Sequence, residues 1–136
     1  MAFLATALIQ VRAQDVTTPL KDYRSSVHYG NLMCNLQFKI DQNLAEVNST
    51  EKSPSGDYIT CIKERIAIVK KNYALAERKI SKQKAKTALK EHYIAGLNFI
   101  QGIDPKSGEV KIDYTRRQNA NEAKLDEMWQ RFEVEQ

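Results

Sequence analysis

Ile62-Lys-Glu-Arg-Ile66-Ala-Ile-Val69-Lys-Lys-Asn-Tyr73-Ala-Leu-Ala76-Glu-Arg-Lys-Ile80 places an apolar residue at intervals of four, three, four, three and four. A half-buried strand would alternate every second residue, whereas these intervals follow the 3.6-residue turn of an α-helix and draw one seam along it. The a/d-like spacing fits a second helix lying alongside. Upstream, Leu32, Leu36, Ile40, Leu44 and Val47 give a first helix its own stripe, and Cys34 and Cys61 lie on the flanks of the two stripes. Downstream of Ile80 the pattern slips by one, to Ala85, Leu89, His92 or Tyr93, Gly96 and Ile100. That slip leaves open one long curved helix or a break near Ser81. Leu125, Met128, Trp129 and Phe132 share one side of a last helix.

No run reads as a strand of any length, so the expected fold is all-α: a small antiparallel three- or four-helix bundle closed by one disulfide. The expected core is Leu36, Ile40, Leu44, Ile62, Ile66, Val69, Tyr73, Leu89, Leu97, Trp129 and Phe132. Ser53-Pro54-Ser55-Gly56-Asp57 is a break followed by a helix start. Gly102 to Ile112 is turn-rich and able to form a tiny hairpin, and Thr115-Arg-Arg-Gln118 has the capping-box pattern. The 136 residues suffice for one domain, read as 14–136.

Residues 1–13 are read as a signal peptide or its remnant: Met1 to Val11 is uncharged and apolar, and Val11-Arg-Ala13 has the small-residue spacing of a cleavage site. The alternative is a helical turn packed on the domain. Two cysteines and no others suit a single Cys34–Cys61 bridge in an oxidising compartment, so the expected location is periplasmic or secreted. The register is awkward, because Cys34 precedes the end of its stripe by 13 residues while Cys61 is about one turn into the next helix. Either the connection climbs back along the first helix or that helix stops early. Asn48-Ser-Thr50 matches a glycosylation sequon, relevant to a eukaryotic secretory pathway. No later stretch approaches the ~18 apolar residues of a membrane span.

The chain is 28% charged with a formal net charge of +4, yet Lys63 to Lys90 holds ten Lys or Arg against Glu64 and Glu77. On a continuous helix Lys71, Arg78, Lys79, Lys82, Lys86 and Lys90 would fall within about a third of the circumference, opposite the seam. Arg78, Lys82, Lys86 and Lys90 would then repeat every four residues, a like-charge ladder that destabilises an isolated helix by a few tenths of a kcal/mol per pair. Such a face is a solvated surface, or is paired internally with Glu122, Asp126 and Glu133, or receives an anionic partner.

Nothing in the sequence completes a catalytic set. There is no Gly-rich phosphate loop, GxSxG, HExxH or CxxCH, and two thiols 27 positions apart with His28 and His92 make no recognisable metal site. His92, beside the apolar face, reads as a core or boundary residue. No cofactor is expected. The late stretch Leu125-Asp-Glu-Met-Trp129-Gln-Arg-Phe132, with the leader-like start and cysteine pair, resembles lysozyme-inhibitor-like periplasmic domains. The likeness covers the last helix. The chain departs from that pattern in having no Cys after Trp129 and in a basic surface of the wrong sign for a basic lysozyme, so no residue role is carried across. The expected function is a non-enzymatic exported binding or structural module whose partner is a protein or envelope component of negative charge. The alternative is an intracellular nucleic-acid binder using the same face, placed second because Lys82 to Lys90 carries no aromatic for base stacking.

Overall fold

The computed structural model describes the backbone of residues 2–47 and 57–136 and the side chains of 18–47 and 57–136. The sequon and Ser53-Pro54-Ser55-Gly56 lie outside the described residues. The chain forms α1 (Ala2–Glu46), α2 (Tyr58–Arg78), α3 (Gln83–Gln101) and α4 (Lys111–Glu135), with no strand among the described residues. Gly102 to Val110 is accordingly a loop of turns leading into α4, and not the hairpin its turn residues suggested.

The helices alternate in direction. α1 packs chiefly on α2 and α3 on α4, and α3 also meets both α1 and α2. Cys34 and Cys61 form the disulfide, with their Cα atoms 5.6 Å apart. Closing that loop stabilises the fold by about 3 kcal/mol in the chain-entropy view. The register problem resolves through α2: its Tyr58 amide donates to Asp41 Oδ2 at 2.8 Å, so α2 begins beside a residue one turn and more before α1 ends. Asp57 caps the new helix by accepting from the Thr60 amide at 2.7 Å.

The apolar stripe expected to bury α1 faces outward. Leu32, Leu36 and Ile40 are 55%, 47% and 45% exposed, and Tyr29 and Val47 are exposed with them. The inner face is Leu20, Tyr23, Val27, Asn31, Cys34, Gln37 and Phe38, which recur every three or four residues on the other side of the helix. α1 is apolar on two faces, and its partners select one. Asn31 donates to the Phe99 carbonyl oxygen at 3.0 Å, and the Tyr23 hydroxyl lies 2.7 Å from His92 Nδ1, both beneath the surface. Gly96 permits this approach, since a Cβ there would meet both Val27 methyls at 3.2 Å.

In the remaining helices Ile62, Val69, Leu89 and Phe132 are buried as expected, while Ile66, Tyr73, Leu97 and Trp129 are half-buried around them. An aromatic chain crosses the bundle: Tyr93 stacks on Tyr73 at 4.0 Å, Tyr73 meets Tyr23, Tyr23 meets His92, His92 meets Trp129, and Trp129 meets Phe132. Burial raises the Tyr23 phenol well above its usual range and lowers His92 to about 3. The pair is therefore neutral, and one hydrogen bond joins the phenol oxygen to Nδ1. Nε2 has no hydrogen-bond partner among the described residues.

The α3–α4 loop is held by Arg117. Its guanidinium grips Glu109 through two bonds of 2.9 and 2.7 Å and donates to the carbonyl oxygens of Gly102 and Asp104. Those bonds lower the Glu109 carboxyl to about 2. Gly102 is required for space: a Cβ would lie 2.6 Å from the Asn121 amide nitrogen and 2.8 Å from the Asn98 carbonyl oxygen. The expected capping box does not form, because α4 starts at Lys111, Thr115 lies inside it and donates to the Lys111 carbonyl oxygen, and Gln118 donates to that of Gly102.

Candidate functional site

The basic segment is not one helix. α2 ends at Arg78, where the amides of Lys79 and Ile80 close short bonds to Ala76 and Glu77, and α3 starts after the extended Lys82. The stack of Tyr73 on Tyr93 lays α3 back alongside α2. Thus Arg78, Lys82, Lys86 and Lys90 do not form a single ladder: Lys71 and Arg78 belong to α2, Lys79 and Lys82 to the turn, and Lys86 and Lys90 to the first turns of α3. Lys86 is half-buried and the other five are exposed.

The break concentrates charge at one end of the bundle. An α-helix presents partial positive charge at its N-terminus, where acidic side chains and caps are favourable. α3 has neither: no acidic residue occupies its first turn, and Lys82 makes no side-chain capping bond. Lys82, Lys84 and Lys86 instead surround that end. Among the described residues the ion pairs are Arg117–Glu109, Lys124–Glu127 and Arg131–Glu127, so none of the six cations is neutralised by one. The proposed internal pairing with Glu122, Asp126 and Glu133 does not form; Glu133 accepts from Trp129 Nε1 at 2.7 Å.

Two of the six also border a cavity that sequence reasoning missed. About 590 Å³ in volume, it lies between the α2–α3 turn, α1 and the end of α4. Lys79 and Lys82 line it from the turn, Lys21 and Arg24 from α1, and no Asp or Glu among the described residues lines it. Leu20, Ile80, Ala85 and Trp129 supply the apolar wall. The Arg24 guanidinium carbon lies over the Trp129 ring, 4.4 Å from its centroid, and Lys82 Nζ donates to the Gln136 main-chain oxygen at 3.0 Å. Lys21 and Arg24 stand more than fifty residues from Lys79 and Lys82, so only the fold unites the two groups.

His92 is sealed by Tyr23 and Trp129 and carries no charge near neutral pH. Among the described residues no three His, Cys, Asp or Glu lie together as a metal set, and no helix is long and apolar enough to cross a membrane. The chain matches no protein-family model, no curated protein and no solved structure.

Proposed function

We propose that this protein is a non-enzymatic binding module, exported to the periplasm or beyond, that recognises an acidic protein or anionic envelope component through the basic end of its bundle. The observation that carries this reading is the placement of Arg78, Lys79, Lys82 and Lys86 at the α2–α3 turn, with Lys71 and Lys90 about two turns away along α2 and α3, and no ion pair to any of them among the described residues. Like charges beside an uncapped helix N-terminus repel, and a bound anion relieves that repulsion. The disulfide supports the location, because such bridges persist in oxidising compartments.

Poly-L-glutamate is the test ligand. Its affinity should fall steeply with salt and drop at least about tenfold on replacing Arg78, Lys82, Lys86 and Lys90 by Glu, with circular dichroism confirming the fold. Undiminished binding by that variant makes the face a solvated surface. Tighter binding to duplex DNA than to polyglutamate at the same salt moves the reading to a nucleic-acid binder. Recovery of the native protein with Met1 in place and two free thiols removes export.

A further inference from the structure

The geometry points to a small-ligand site in the cavity at the α2–α3 turn, taking one amphipathic anion: a single carboxylate or phosphate head on an alkyl or aryl body. This goes beyond the surface reading, since it concerns a small molecule and uses α1 and α4 residues outside the basic segment.

The walls divide by chemistry. Leu20 and Ala85 are buried and Ile80 and Trp129 half-buried, so an apolar body entering between them leaves water. Around them stand Lys21, Arg24, Lys79 and Lys82, donors from two separate elements, with no carboxylate side chain among the described lining residues and the Gln136 main-chain oxygen engaging Lys82. Arg24 is held over the indole face, and a guanidinium presents a planar fork that matches a carboxylate or phosphate. Lys82 already donates to a main-chain oxygen at the cavity edge, so its ammonium is within reach of an acceptor there. The volume is in the range of pockets that bury most of a small organic ligand. A purely apolar ligand would leave four cations facing it, and a purely polar anion would leave the indole and aliphatic wall unused.

Trp129 is the single tryptophan and lines the cavity, so its emission reports occupancy directly. The full, disulfide-closed chain is titrated with decanoate and with decyl phosphate below their micelle concentrations. A saturable one-site change is expected, with decanol and decyltrimethylammonium at least about tenfold weaker. Arg24→Gln with Lys82→Gln should weaken decanoate about tenfold, and Ala85→Phe, which fills the cavity without touching charge, should do the same. Lys71→Glu with Lys90→Glu lies off the lining and should leave decanoate within twofold while weakening polyglutamate, so either reading can fail alone. Phosphatidylglycerol vesicles separate a lipid headgroup from a free amphiphile: co-sedimentation that decanoate competes away places the bilayer's anions in the same cavity. Co-sedimentation indifferent to decanoate, decanol binding within twofold of decanoate, a non-saturating signal, or unchanged binding by the Arg24/Lys82 variant overturns the site.

Discussion

The two faces of α1 are nearly equal in apolar content and opposite in fate. On the inner face Tyr23, Val27 and Cys34 are fully buried; on the outer face Tyr29, Leu32, Leu36 and Ile40 are exposed by about half. Hydrophobicity alone does not separate them, because each recurs with helical spacing. Directional partners do: a disulfide to Cys61, a hydrogen bond from the Asn31 side-chain amide to the Phe99 carbonyl oxygen, and a phenol–imidazole hydrogen bond to His92 all emerge on one side. A core is chosen by groups that can be satisfied in only one orientation, and apolar area then fills around them.

The sharpest way to break this comparison is Tyr23→Ala. It removes a fully buried ring, two aromatic contacts and the bond to His92, and should cost about 4 kcal/mol in urea unfolding. Replacing both cysteines by Ser should cost about 3 kcal/mol, measured the same way, and should leave the helical circular dichroism in place. Between pH 6.5 and 5 a smaller effect follows from the buried imidazole. Its folded pKa, near 3, lies below the usual 6.5, so the unfolded chain takes up a proton that the native state refuses. Stability is complete above pH 6.5 and falls by up to about 1.4 kcal/mol per unit as pH drops toward the folded value. Glu109 loses its advantage only below its ordinary 4.5, so between pH 6.5 and 5 the difference between the wild type and His92→Gln isolates the imidazole. The smallest effect belongs to the outer face: Leu36→Ala should shift stability by no more than about 0.5 kcal/mol. A cost above about 2 kcal/mol would show that the outer stripe is covered in solution and that the two faces are alike.

Much of the fold was legible because its seams are periodic. The α2 spacing identified Ile62 and Val69 as core positions, and the flanking cysteines identified the bridge. The side of α1 was misread because Leu32, Leu36 and Ile40 form the more aliphatic stripe, while the buried stripe contains Tyr23, Asn31 and Gln37, whose burial depends on partners far along the chain. The break at Lys79–Lys82 was left open by pattern, since no Pro or Gly marks it; the one-residue slip after Ile80 was its signal. Lys79 and Lys82 were singled out from local charge, but Lys21 and Arg24 were not, because two cations among neutral and acidic neighbours carry no signal until α1 places them opposite the turn.

Two fasteners, one joining residues 27 apart and the other residues eight apart, sit in different halves of the molecule and obey different chemistry. The α1–α2 pair is joined by Cys34–Cys61, which a thiol reductant opens and acid leaves intact. The α3–α4 connection is joined by Arg117 and Glu109, which no reductant touches and protonation of the carboxylate dissolves. A thiol reductant can thus loosen the α1–α2 pair while Arg117 and Glu109 stay fastened, and native-state hydrogen exchange would resolve that local loss where equilibrium melting sees one transition.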